Sequence, residues 1–209
     1  MIYVNHISDF IYSHLIKCTT RADTLESKHG YEREVADYSI KVKACHANNL
    51  CFSDNNFIGN CINHNQKITF YGVGAHRQNA VVKSKIKELS NGARTVLLHA
   101  KRKRPEVITT ILWPFALQSV VEHHNRVYLD KDERSPLEKI SNTKDEIITT
   151  NFHSWGCPIY ILDAPNQSSG IGSPKWEPKS HAGIYLRRSP CHAGSVALVL
   201  NIRTGLVSP

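Results

Sequence analysis

Apolar residues recur along this chain with two different periods. Residues 2–5 and 10–18 are rich in β-branched and aromatic side chains and are separated by a short polar stretch, which predicts a hairpin. Thr19 and Thr20 are suited to cap a polar, weakly amphipathic helix running to about Tyr38. From Ile40 to Ala47, Val42 and Ala44 alternate with Lys41, Lys43 and Cys45, as in a strand, and a further strand is expected over Ile68 to Val73. Between Asn79 and Ala100 the positions Val82, Ile86, Leu89, Ala93, Val96, Leu97 and Ala100 keep helical spacing and form the apolar stripe of a packed helix. Val107 to Leu129 carries Ile108, Ile111, Leu112, Phe115, Ser119 and Val120 on one side, with Pro114 expected to kink that helix or restart it.

Beyond Asp130 the pattern changes. Residues 130–150 are polar and charged, and Pro, Gly and Ser then punctuate short β-like runs at Cys157 to Leu162, Gly183 to Leu186 and Ser195 to Asn201. The expected organisation is a mixed α/β domain over residues 1–130, followed by a linker and a small β-rich extension over residues 131–209. There is no internal repeat.

A chain of 209 residues is long enough to bury a real core. No stretch reaches the roughly 18 uninterrupted apolar residues of a membrane span, and Met1 to Asn5 lacks the basic and apolar regions of a signal peptide. The expected location is therefore intracellular, nuclear or cytoplasmic, with no membrane partner. The 6 cysteines form no CxxC pair and read as reduced thiols.

Charge changes the picture most. The formal net charge is +8, and Lys83, Lys85, Lys87, Arg94, Lys101, Arg102, Lys103 and Arg104 face only Glu88 in their window, an excess of seven in one segment. Such a cluster suits a surface that meets a polyanion, which makes nucleic acid the candidate partner; a solvated helix face is the competing reading. The Lys101 to Arg104 run reads as a nuclear import signal, a phosphate-contacting patch or a solvated helix end.

Other constellations are weaker. Cys45, His46, Cys51, Cys61, His64 and His76 fall in one region but fit no four-ligand zinc spacing. Cys157 and Cys191 have His153 and His192 near them only in sequence, and core cysteines are the simpler reading. Trp113, Phe115, Trp155 and Trp176 could stack on bases, but Trp113 and Phe115 are expected in the core. Gly72-Val73-Gly74 lacks the spacing of a dinucleotide site.

Seven short strings give the chain a resemblance: His46-Ala47-Asn48-Asn49, Phe52-Ser53-Asp54-Asn55, Tyr71 to Asn79 (Tyr-Gly-Val-Gly-Ala-His-Arg-Gln-Asn), Leu112 to Leu117 (Leu-Trp-Pro-Phe-Ala-Leu), Trp155-Gly156-Cys157-Pro158, Pro174-Lys175-Trp176 and Leu200 to Gly205 (Leu-Asn-Ile-Arg-Thr-Gly). Together and in order they resemble copia-type retrotransposon integrases, over almost the whole chain. The resemblance implies a ribonuclease H-like mixed sheet of order 3-2-1-4-5 with flanking helices. It also implies a Mg²⁺ site made by an Asp on the first strand, an Asp in a His-Ala-Asp-Asn-Gly type motif, and a Glu shortly after the Gln-Asn pair. Such ions serve an in-line phosphoryl transfer that joins DNA strands.

The sequence departs from that pattern at each acid. Asn48 stands at the second Asp, Leu50 at the Gly and Lys83 at the Glu, while the first Asp would lie upstream of Met1 with its strand. An ammonium in place of a carboxylate about 5 Å from a divalent ion is repelled by about 6 kcal/mol at an effective dielectric of about 20. Asp54 and Glu88 lie at the wrong spacing to substitute; Asp54 is expected to be a helix cap or a turn residue and Glu88 a solvated partner for Lys85 or Lys87. The expectation is a degenerate integrase-like protein with no intact catalytic residue and no retained magnesium. Its nucleic-acid contacts would come from Lys83, Lys85, Lys87, Arg94 and Lys101 to Arg104. The alternatives are a relic without selected activity and a recruited protein interaction module. Loss of the first strand would leave unpaired edges on the strands near residues 2–5 and 40–47, unless those two pair directly.

Overall fold

Tyr3 and Tyr12 face each other across a short antiparallel hairpin, and this pair sets the register of the first two strands, β1 (Ile2–Val4) and β2 (Ile11–Ser13). The Asn5 side chain accepts from the N–H groups of Ile7 and Ser8, which tightens the turn, and Asp9 adopts a left-handed conformation with φ of 59°. The computed structural model describes residues 1–72, 80–144, 153–163, 174–192 and 196–209. These form two compact units, Met1–Ser90 with Val121–Glu146, and Asn91–Val120 with Ile147–Pro209. Both are assembled from non-contiguous segments, an arrangement that a reading along the chain does not produce.

In the first unit α1 (Arg21–Ala36) starts at Thr20, whose side chain accepts from the Asp23 N–H. Its buried positions are Thr24, Ser27, Lys28, Gly30, Tyr31 and Val35, a mostly polar set, which is why the sequence shows so little amphipathic signal here. Tyr31 stacks on Tyr3 with ring centroids 5.1 Å apart. The Lys28 side chain, 1% exposed, donates to Glu32 at 2.6 Å and to Asn60 at 2.8 Å. Gln66 donates to the same Glu32 oxygen. Asn60 belongs to α2 (Asn55–Asn63), a helix capped by Asp54 and buried through Phe57 and Cys61. Of the two expectations for Asp54, a helix cap or a turn residue, the cap is the one observed, and the helix behind it is not evident from the sequence.

The parallel strands β3 (Ala44–Ala47) and β4 (Lys67–Phe70) flank α2, with Cys45 opposite Ile68 and His46 opposite Thr69. Among the described strands β1 pairs only with β2 and β3 only with β4, so the strands near residues 2–5 and 40–47 do not join directly. The outer edge of β2 is closed by the Asn125 side chain, which accepts from the Ile11 N–H at 2.9 Å and donates to its carbonyl at 2.7 Å. Residues 131–144, expected as linker, contain α5 (Pro136–Ser141). It has a capping box between Ser135 and Glu138 and buries Pro136, Leu137 and Ile140.

Two long helices, α3 (Ala80–Lys103) and α4 (Trp113–Val127), contribute residues to both units. Pro114 sits at the start of α4, directly after a 3₁₀ turn over Thr110–Leu112, so it restarts the helix where its missing N–H is least costly. In the second unit, Ala93, Leu97 and Ala100 of α3, Ile108, Leu112 and Ala116, and Trp155 form one core with Ile184, Leu186 and Leu200. The last three come from an antiparallel sheet of β5 (Pro158–Leu162), β6 (Ser180–Arg188), β7 (Ala197–Asn201) and β8 (Val207–Ser208), in that order. Ile184 and Leu186 are fully buried, each worth about 2 kcal/mol of transfer free energy. Gly156, at φ of 77°, lies where an added Cβ would meet the Ala100 side chain at 2.6 Å, so glycine is required there for both conformation and space.

The Lys28 clamp makes an asymmetric prediction. Glu32→Ala leaves an ammonium buried without its counter-charge and should cost about 3 kcal/mol, whereas Lys28→Met removes the charge and fills its volume and should be close to neutral. Urea denaturation of both variants measures this; equal losses would contradict the assignment of the cost to the stranded ammonium.

Candidate nucleic-acid interface

Parallel strands direct their C-terminal ends to one side, and at that end of the β3–β4 pair stand the residues of the second motif position. Asn48 follows β3 directly and turns its side-chain oxygen back to the Leu50 N–H at 3.3 Å. Asn49 donates to the Tyr71 carbonyl at 3.1 Å. His46 meets the Thr69 hydroxyl at 2.7 Å and packs edge-on against the Tyr71 ring at 4.1 Å. Asp54, the nearest carboxylate along the chain, caps α2 and pairs with Arg21 at 3.0 Å. The donors at this end of the sheet are thus neutral amides, an imidazole and a hydroxyl. Magnesium takes anionic oxygens in octahedral geometry, and this set does not fit it. Among the described residues no three His, Cys, Asp or Glu side chains converge. His46 and His64 are engaged with Thr69 and the Asn60 carbonyl, and His76 lies outside the described residues.

The basic window lies on α3, and the helix sorts it by angle. At 100° per residue, Lys83, Lys87, Arg94 and Lys101 fall within about 40° of arc and span about 27 Å of helix. The buried positions Leu89, Ala93 and Ala100 lie roughly 80–160° around from them and Leu97 roughly 40–80°. All four cations are exposed, and among the described residues none of Lys87, Arg94 and Lys101 has a carboxylate within 4.0 Å. Arg102 and Lys103 are also exposed but point elsewhere at the helix end.

Two members of the predicted set are committed to the fold. Lys85 is ion-paired with Asp9 at 2.7 Å and with Glu88 at 3.4 Å, and lies 5.8 Å from the Tyr128 ring centroid. Burial alone would lower its pKa, but the Asp9 hydrogen bond and charge outweigh this and raise it. Arg104 is half-buried and donates to the Gly156 carbonyl at 2.8 Å, fixing the turn that packs against Ala100.

No protein-family model matches the chain, and no curated protein matches its sequence. Solved structures do share its backbone. A chain of the simian T-cell lymphotropic virus intasome, in complex with the PP2A regulatory subunit B56 gamma, aligns with a TM-score of 0.54 and 11% identity, covering 99% of this chain and 70% of that one. The fold is integrase-like and ribonuclease H-like. The HTLV-2 integrase catalytic core domain in complex with magnesium gives a TM-score of 0.48 with 11% identity, over 66% of this chain and 81% of that one. The catalytic core domain of BIV integrase gives 0.48 with 15% identity over the same shares. At such identities the likeness fixes architecture, and residue roles must come from this chain's own chemistry.

Within this integrase-like fold the aromatic candidates separate. Trp155 is buried at 8% exposure and Phe115 packs against the core of the second unit. Trp113 is 52% exposed, against the expectation of a core position, because the residue that opens α4 precedes the turn whose side chains face inward. Trp176 is 89% exposed beside Lys175. Burial raises the Cys157 thiol above its ordinary range, His153 packs edge-on to Tyr185, and His192 bonds Ser189, so no thiol and imidazole pair forms there. Among the described residues no helix is long and apolar enough to cross a membrane.

The cluster around Lys85 also contains a histidine missed in the sequence. His124 is buried, stacks on Tyr128 at 5.4 Å, and places Nε2 3.2 Å from the Asp9 carbonyl and 3.5 Å from its carboxylate, with its Nδ1 4.0 Å from Glu88. Burial and then the Lys85 charge hold its pKa below the ordinary 6.5, winning over Asp9, which already serves Lys85. The unfolded chain therefore takes up this proton more readily than the native one. The resulting contribution to stability is intact above pH 6.5 and lost as the pH falls below it. Thermal melts between about pH 7.5 and about pH 5.5 should show a decline that His124→Gln abolishes; the same decline in the variant would assign it to other groups.

Proposed function

We propose that this protein is a copia-type integrase relative that has lost strand-transfer chemistry and retains nonspecific nucleic-acid binding along one face of α3. The observation that carries the binding is the row of Lys83, Lys87, Arg94 and Lys101 on a single exposed helix face. Duplex DNA presents one phosphate charge per about 1.7 Å of axis, so a straight row of about 27 Å meets several phosphates without any base contact. Arg102 and Lys103 extend the field at the helix end, whereas Lys85 and Arg104 are held by internal partners and add no contact of their own.

Loss of chemistry is supported by the donor set. A carboxamide at position 48 offers one neutral oxygen, already bonded to the Leu50 N–H, and an ammonium at position 83 repels a divalent ion. No catalytic step follows from such residues. Nucleic acid held on α3 would be bound and released unchanged.

Binding of a labelled duplex should weaken steeply between about 50 and 200 mM salt. The triple variant Lys87→Ala, Arg94→Ala, Lys101→Ala should reduce the slope of log affinity against log salt by about three. Salt-insensitive binding, or an unchanged slope in the triple variant, would remove the nucleic-acid reading. Calorimetry with Mg²⁺ and Mn²⁺ should register no binding heat and a strand-transfer assay no product; either signal would overturn the inactive assignment.

A further inference from the structure

Two large aromatic side chains of the second unit stand in solvent. Trp176 is 89% exposed and Tyr160 is 81% exposed, although tryptophan is highly buried on average. Strand register explains how Tyr160 reaches the surface. In β5, Pro158, Tyr160 and Leu162 share one face and stand opposite Ile184, Ala182 and Ser180 of β6. At Ile184 this face belongs to the core with Leu97 and Ala100 of α3. At Ala182 and Tyr160 it has run out from beneath that core and is exposed.

Trp176 is carried towards the same end of the hairpin. The Asp163 N–H donates to the Lys179 carbonyl at 3.0 Å, one step beyond the Leu162–Ser180 pair, and the Glu177 N–H closes a turn onto the Pro174 carbonyl at 3.0 Å. Tyr160 thus lies three strand residues, about 10 Å, from the Asp163–Lys179 bond, and Trp176 precedes Lys179 by three residues. The Lys175 Nζ lies 5.3 Å from the Trp176 ring centroid. Over residues 147–209 five Lys and Arg side chains stand against two acidic ones, Asp163 and Glu177, and Asp163 is bonded to His181 at 2.6 Å.

We infer that this end of the β5–β6 hairpin binds single-stranded DNA, with unpaired bases stacked on Trp176 and Tyr160 and a phosphate beside Lys175. A duplex keeps its base faces inside its own stack, so only an unpaired base can cover an exposed ring. Stacking accepts any base, and the positive balance of the surface favours the backbone that joins them. Around Tyr160 the exposed neighbours are Leu162 and Ala182, which offer no bond to a 2′-hydroxyl and so favour deoxyribose. The site uses none of the α3 cations and is independent of duplex binding there.

The probes are an oligothymidylate of about 12 nucleotides, an abasic strand of the same length and a duplex, each titrated against the full 209-residue chain and read by fluorescence anisotropy. The oligothymidylate should bind at least about tenfold more tightly than the abasic strand, which carries the same phosphates. Trp176→Ala and Tyr160→Ala should each weaken the oligothymidylate about tenfold, Trp176→Phe should retain most of the affinity, and none should change the affinity for duplex. Both rings are exposed, so neither truncation removes core packing. Equal affinity for the oligothymidylate and the abasic strand overturns the inference, as does undiminished binding by Trp176→Ala. Tighter binding of an oligouridylate overturns DNA as the occupant. Duplex binding that persists while the oligothymidylate ignores Trp176 removes this site alone; Trp176-dependent binding of the oligothymidylate without any duplex binding supports it and removes the α3 reading alone.

Discussion

The first unit depends on a buried ammonium. Lys28 lies on the face of α1 that other helices would fill with leucine; it donates to Glu32 one turn along the same helix and to Asn60 of α2, and Gln66 donates to the same Glu32 oxygen. An isolated charge there would be prohibitive, so α2 is placed where Asn60 delivers an oxygen to it, and the approach to β4 where Gln66 supports the Glu32 carboxylate. Burial would raise the Glu32 carboxyl, but hydrogen bonds from Lys28 and Gln66 outweigh that and hold it below the ordinary range. This polar clamp, with the Tyr3 and Tyr31 stack, attaches two small sheets to one helix where the apolar area is too small to do so alone.

The second unit follows the opposite logic. Ala93, Leu97 and Ala100 let α3 approach closely, Ile184, Leu186 and Leu200 fill the space above, and Gly156 passes where no side chain fits. Here specificity comes from shape, and Arg104 serves a backbone carbonyl.

That contrast explains what could be read from the sequence. α3 was legible because its buried residues keep helical spacing, and the hairpin because its strands are β-rich and joined by a short polar stretch; β3 is shorter than the expected Ile40 to Ala47, and its phase is reversed, with Ala44 exposed and Cys45 turned inward. α1 was legible only through its Thr20 cap, since Lys28, Ser27 and Thr24 are buried for reasons that no hydropathy pattern carries. α2 was missed because Asn55 to Asn63 reads as a polar loop, and α5 because six residues are too few for periodicity, although Ser135 and Glu138 carry the capping-box signature. Strand β6 runs well beyond the expected Gly183 to Leu186, through His181 and Arg187, because polar residues are acceptable on the exposed parts of a central strand. In the candidate interface, summing charge overstated the surface. Lys85 and Arg104 sit at helical angles that take them to Asp9 and Gly156, a distinction that only angular position makes.

The proposed loss of chemistry also makes physical sense as a change in stability. Carboxylates gathered for two divalent ions repel one another whenever the ions are absent, and the apo form carries that strain at the exposed ends of its strands. Asn48 accepts the Leu50 N–H and so closes the turn that leads into α2, while Lys83 stands one turn from Lys87, about 6 Å along the axis and within a Debye length of about 8 Å, which favours a polyanion over a bare cation there. On the proposed reading, the turn at Asn48 and the helix at Lys83 keep their local bonds within an integrase-like fold, and the exposed charge along α3 favours contact with a polyanion.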